Sequence, residues 1–300
     1  MSQPAPAWTP PPTRELTAPD GRVLRHCGYG PPDGQPVVSL AGTPGTRWER
    51  PDVVSAFEQA GLRVVAPERP GYGGATRQPG RSVADVAADV RLIADALGWP
   101  RFAVTGFSGG GPHALACAAL LAGRITCCAV VASPAPADAS GVDFFAEPTP
   151  GAATDFRLAR RGEQALRPYL ETRARDAMAR LEADPEQASG PGVSAAPDSG
   201  RLTRLRAMFL GGLDGWLDDD IALVRPWGFD LARITGPIAL WHGARDTRVP
   251  RAHTDWLLAR LPTARSYQHP GGHDPDDASY RRILGWIAAA GLRSPAPDQR

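Results

Sequence analysis

The chain has 300 residues, enough for one large α/β domain or two modest ones. Its 42% hydrophobic and 22% charged content is that of an ordinary globular protein, and a formal net charge of +1 argues against nucleic acid or an anionic membrane as partner. All 33 basic residues are arginine, so no lysine is present to act as base, Schiff-base former or charge anchor.

The opening stretch MSQPAPAWTPPP carries neither a basic nor an apolar signal region, and residues 1–13 read as a flexible tail. No apolar run reaches the ~20 residues of a membrane span, so the expectation is a cytoplasmic protein with no membrane partner. QPVVSLAG is the first short apolar run ending in glycine, as a buried strand does. GLRVVAPERPGYG repeats the pattern of strand and Pro/Gly loop. Ser82 then opens a helix, SVADVAADVRLIADALG, with Asp85 three residues on as a capping-box variant and Gly98 as a stop. RFAVTGFS is a third strand, GGGPHALACAALLAG a helix apolar on nearly all sides, and RITCCAVVASPAP a fourth strand. Cys127 and Cys128 in that strand should face opposite ways. With Cys27 and Cys117 they show no metal spacing and are expected to be buried thiols; neither a metal nor a cofactor is implied.

The alternation stops over 134–233. That stretch holds a charged helical segment, TDFRLARRGEQALRPYLETRARDAMARLEAD, and a Gly/Ser/Pro/Ala-rich segment expected to be mobile over about 187–200. It reads as a helical insertion, a cap, between core segments 14–133 and 234–293. TGPIALWHGARD and ARSYQHPGGHD supply two more strands, RAHTDWLLARLP and ASYRRILGWIAAAG two amphipathic helices, and 294–300 a tail. Strands alternating with helices predict a mostly parallel sheet covered on both faces.

Chemistry concentrates at strand ends. Gly106-Phe107-Ser108-Gly109-Gly110 is a G-x-S-x-G turn set between a strand and a helix, the context in which a serine is exposed as a nucleophile. No G-K-[ST] follows, which excludes the usual phosphate loop. A serine needs a base and an orienting acid. Asp246 follows one strand and His273 sits in a Gly-rich loop after the last. The order Ser108, Asp246, His273 is that of an acyl-transfer triad. Asp138, after the fourth strand, is the competing acid. The N–H groups of Gly109 and Thr43 are the candidate oxyanion donors. Trp48, Phe107, Met208, Phe209, Trp216 and Trp227 are candidates for the apolar wall of a substrate pocket.

LAGTPGTRW, VVAPERPGYGGAT, VTGFSGGGPHALACAALL, LWHGARDTRVPRAH and PGGHD together resemble the α/β-hydrolase superfamily, most closely its actinobacterial serine hydrolases with a cap. The resemblance covers about residues 14–291. It implies an eight-stranded sheet flanked by helices, with the lid inserted after the sixth strand. It also implies Ser108 as nucleophile, Asp246 as acid, His273 as base, and Thr43 and Gly109 as oxyanion donors. Ala41 stands where the family's loop usually carries histidine. The expected function is hydrolysis of an ester, thioester or amide of a small molecule through an acyl-Ser108 intermediate. Acyl transfer, cyclisation or lyase chemistry on the same triad is the alternative, and a ligand-binding pseudo-enzyme a third. A homodimer is compatible with all three.

Overall fold

Continuous apolar runs such as PVVSL and TCCAVV can be buried only in a sheet covered on both faces. That sheet organises the computed structural model, which describes residues 9–146, 153–183 and 200–293. In chain order the elements are β1 (Arg14–Thr17), β2 (Val23–Tyr29), β3 (Gln35–Leu40), α1 (Pro51–Gln59), β4 (Leu62–Pro67), α2 (Val86–Ala96), β5 (Phe102–Phe107), α3 (Gly110–Leu120) and β6 (Ile125–Val131). There follow α4 (Thr154–Arg160), α5 (Glu163–Ala183), α6 (Arg201–Met208) and α7 (Asp214–Leu223). The chain then returns with β7 (Ile238–Gly243), α8 (Arg251–Leu258), β8 (Ala264–His269) and α9 (Asp277–Arg293).

The strands lie in the order β1-β2-β4-β3-β5-β6-β7-β8. Every pairing from β4 to β8 is parallel, while β1 and β2 close one side antiparallel. The parallel strands therefore all end on one edge, where the loops that carry Thr43, Ser108 and Asp246 emerge. Alternate residues feed opposite layers. Cys128 packs with Val104, Val130 and Leu240 on one face, and Cys127 with Ala103, Ala129 and Ala239 on the other. All four cysteines are buried and free, and burial pushes the Cys117 and Cys127 thiols up to about 12.

Helix α2 begins as Ser82 predicts. The Asp85 carboxylate accepts from the Ser82 N–H at 2.6 Å and from Ser82 Oγ at 2.8 Å across a short 3₁₀ turn, and Gly98 leaves the helix with φ 68°. Three elements carry no such signal. β1 and β2 are side strands, RELT and VLRHCGY, that mix charged with apolar residues instead of running apolar. α1 has Arg50 at its N-cap with no side-chain cap bond, so Pro51 and the acidic Asp52 in its first turn are its start marks.

Helices α4 to α7 lie between β6 and β7. The charged segment forms α4 and α5, parted at Gly162 with φ 93°. The Gly/Ser-rich segment expected to be mobile lies outside the described residues, save Gly200. The inserted helices share a third apolar cluster built from Ala159, Leu166, Leu170, Trp216, Leu217 and Ile221, to which the loop after β4 contributes Tyr72. No helix among the described residues is long and apolar enough to cross a membrane.

Candidate active site

Ser108 sits between the last residue of β5 and the first turn of α3. Its φ of 51° places it in the left-handed region, which costs a non-glycine residue roughly 1–2 kcal/mol. The surroundings hold it there. Ser108 N–H donates to Val131 C=O at 2.8 Å, and its own C=O accepts from Gly111 N–H at 3.0 Å and Ser133 Oγ at 2.7 Å. The glycines are needed for approach. A Cβ on Gly106 would stand 2.9 Å from Ala114 Cβ, and one on Gly110 would stand 2.5 Å from the Ala41 carbonyl oxygen.

Asp246 follows β7 in a turn closed by its N–H on Gly243 C=O. Its Oδ1 accepts from the N–H groups of Arg248 and Val249 at 2.8 and 3.0 Å, which leaves Oδ2 to pair with His273 Nδ1 at 2.9 Å. Burial by itself would raise the Asp246 pKa. The His273 bond and the two backbone donors outweigh it, so the carboxyl lies below its ordinary value. The two loops are joined by backbone, Ala244 N–H to His269 C=O at 2.8 Å and Arg245 N–H to Gly271 C=O at 3.0 Å. With Nδ1–H given to Asp246, a neutral His273 keeps Nε2 as a proton acceptor. The His273 ring lies 5.0 Å from the ring of Phe107, the residue before Ser108. Asp138 is exposed in the turn after β6.

Thr43 and Gly109 face each other. A Cβ on Gly109 would stand 3.3 Å from Thr43 N, and neither N–H donates to a partner among the described residues. These two backbone N–H groups remain the candidate oxyanion donors. The strained serine and the buried Asp–His pair lie within the part of the chain that matches a known family. Residues 35–274 match the model of the alpha/beta hydrolase fold family. The chain belongs to that family.

Solved structures agree with this at the level of fold. A thermophilic esterase from Thermogutta terrifontis aligns with TM-score 0.65 at 18% identity, covering 93% of this chain and 99% of that one. An esterase from Rhodococcus sp. ECU1013 aligns with TM-score 0.64 at 17% identity over 94% and 99%. A structure described under epoxide hydrolases from metagenomes of hot environments aligns with TM-score 0.67 at 19% identity over 96% and 100%. Among curated proteins none matches.

The remaining candidates of this alpha/beta hydrolase scatter. Phe107 and Trp48 are partly buried against the sheet layer, and Arg47 stacks over the Trp48 ring at 4.6 Å. Phe209 stacks on Trp216 at 5.9 Å in the inserted-helix cluster, and Met208 ends α6, half-buried. Trp227 belongs to the main core, stacked on Phe229. The other histidines have structural partners or deep burial. His113 Nδ1 bonds Gly109 C=O at 2.8 Å, with burial driving its pKa to about 3. His242 Nδ1 pairs with Thr254 Oγ1, and His253 Nδ1 accepts from Ala135 N–H. His26 and His269 are buried. Sequence reading missed Arg69, Tyr72, Arg81 and Asp219, which form a buried charge cluster behind the Thr43 loop. A faint signal existed. Asp218-Asp219-Asp220 interrupts an otherwise apolar stretch, an improbable place for three solvated carboxylates.

Proposed function

We propose that the protein is a serine hydrolase that cleaves an ester, thioester or amide of a small molecule through an acyl-Ser108 intermediate. The observation that carries this is the buried 2.9 Å pair between Asp246 Oδ2 and His273 Nδ1, set beside a serine held at φ 51°. In the first half-reaction His273 Nε2 takes the Ser108 proton as Oγ attacks the acyl carbon. The oxyanion forms between the N–H groups of Thr43 and Gly109. Collapse expels the leaving group, which receives the proton from His273. Water then attacks the acyl-enzyme, gives its proton to His273 Nε2, and Ser108 Oγ leaves with that proton. Asp246 stays ionised throughout and stabilises the imidazolium. Helices α4 to α7 serve as a cap that admits small substrates, and Phe107 is the pocket residue best supported, because its ring lies against His273.

The test is covalent. A fluorophosphonate should label the wild-type chain once, on Ser108 by peptide mass spectrometry, and an activated ester such as p-nitrophenyl acetate should be turned over. Absence of both would refute the reading. Epoxide opening through a carboxylate nucleophile is disfavoured, because the elbow holds serine.

A further inference from the structure

Ala41 offers the oxyanion loop no polar side chain, so something else must orient the loop. The Arg69 guanidinium lies behind it, donating to the carbonyl of Ala41 and, at 2.7 Å, to the carbonyl of Gly42. The Gly42–Thr43 peptide is trans, and across a trans peptide the C=O and N–H point in opposite directions. Fixing the Gly42 oxygen on Arg69 therefore turns the Thr43 N–H away from Arg69, and Gly109 packs against Thr43. Arg69 is fixed in turn. Its Nε donates to both oxygens of Asp219 at 3.1 and 2.9 Å, and Asp219 is fully buried on α7 in the inserted segment. The same carboxylate accepts from Arg81 Nη2 at 2.7 Å, Tyr72 OH at 2.9 Å and Thr43 Oγ1 at 2.9 Å. Burial alone would raise the Asp219 pKa. The two guanidiniums outweigh it and hold the carboxyl well below the usual range.

We infer that Arg69 and Asp219 are positioning residues for the oxyanion hole, so that the cap takes part in catalysis by aligning the Gly42–Thr43 peptide. This rests on the serine-hydrolase reading above. Asp219 reaches the loop at two points, through Arg69 to the Gly42 carbonyl and directly to the Thr43 hydroxyl. The pair has no need to touch substrate. Its effect falls on the transition state, where the oxyanion forms, and leaves ground-state binding alone.

The experiment uses five variants of the full chain, with active sites counted by fluorophosphonate labelling. Arg69→Met and Asp219→Asn should lower kcat about 100-fold, the scale of losing one oxyanion donor, with KM little changed. Affinity for an aryl boronic acid, which forms a tetrahedral adduct on the serine, should weaken in step with kcat. Thr43→Val removes two bonds to charged groups, one given to Asp219 and one accepted from Arg69 at 3.2 Å, and should cost at least roughly tenfold in kcat, while Thr43→Ser recovers most of it. It also serves if the two buried-charge variants do not fold. The control is Arg77→Gln. It cuts another cap-to-core bridge, Arg77 to Asp218 at 2.9 Å, without touching the loop, so it should lower Tm and leave kcat per labelled site unchanged. Loss of Tm without loss of kcat in the Arg69, Asp219 and Thr43→Val variants would overturn the positioning role alone. So would an equal kcat loss in Arg77→Gln. A wild-type chain that does not label on Ser108 would overturn the hydrolase reading and this inference together.

Discussion

Helices α3 and α7 are buried to the same degree and by different means. From Gly110 to Ala119, α3 is covered on every side and carries no charged residue. From Gly215 to Leu223, α7 is covered as completely, yet it holds Asp218, Asp219 and Asp220 in succession. Apolar contact is non-directional, so α3 is placed by shape. A buried carboxylate costs several kcal/mol unless specific partners meet it, so α7 is placed by where those partners stand. Asp218 meets Arg77, and Asp219 meets Arg69, Arg81, Tyr72 and Thr43. Asp220 forms no salt bridge among the described residues, and its Oδ2 has no hydrogen-bond partner among them. Burial, then the nearby Asp155 and Asp219, push its pKa well above the ordinary value. The sheet half supplies every side chain proposed to react, and the inserted half supplies Asp219, which holds Arg69 for the proposed alignment.

The sharpest way to break this division is Ser108→Ala. It should lower kcat on an activated ester by a factor on the order of 10⁶, with the circular dichroism spectrum and Tm close to wild type. Substantial residual turnover in a clean preparation would move the nucleophile elsewhere. Next in size is the acid. Asp246→Asn keeps the shape of the turn but favours the wrong imidazole tautomer, which should cost roughly 10⁴ in kcat. Asp138→Asn should be nearly normal, and the reverse pattern would put the acid after β6.

A third test compares the halves by pH. Burial drives the pKa of His26 and His253, in the sheet half, to about 4, and that of His113 to about 3. Below about 6.5 the unfolded chain protonates these rings and the folded chain does not. Stability should therefore fall as pH drops from 6.5 towards 4, with a slope approaching about 1.4 kcal/mol per pH unit for each histidine. Flat urea midpoints over that range would contradict it. The smallest effect is of opposite sign and belongs to α7. A raised carboxyl pKa adds stability that is complete below the unfolded value and is lost as pH rises. Asp220→Asn, the same shape without a charge to lose, should raise Tm at pH 8 and converge with wild type near pH 4. A lower Tm at pH 8 would mean that Asp220 is ionised and paired.

Much of the site was legible because its parts are local. The elbow needs a strand, a serine among glycines and a helix in consecutive residues, and VTGFSGGGPHALA spells all three. Asp246 follows an apolar run, and His273 stands in a Gly-rich turn after the mixed-polarity strand ARSYQH, so each could be proposed from its own neighbourhood. The same locality failed for β1 and β2, whose mixed polarity does not separate a strand at one side of a sheet from a loop. It failed for α1, which starts without a capping side chain. Phe209 and Trp216 were grouped with Trp227 by aromatic character, but they pack in different clusters, and no local pattern separates them.

What the sequence alone determined is the class of fold, and it named the three residues proposed to do the chemistry. Apolar runs of strand length force a covered parallel sheet, and the turns at its strand ends are written in contiguous residues. What only the tertiary structure decided is that Arg69 holds the Ala41 and Gly42 carbonyls and is itself held by Asp219. Arg69 and Asp219 stand 150 positions apart, and in a sequence each reads as a solvated charge. Nothing local distinguishes a buried ion from an exposed one. The difference arises when folding removes water from both at once, so that each becomes the other's principal solvation.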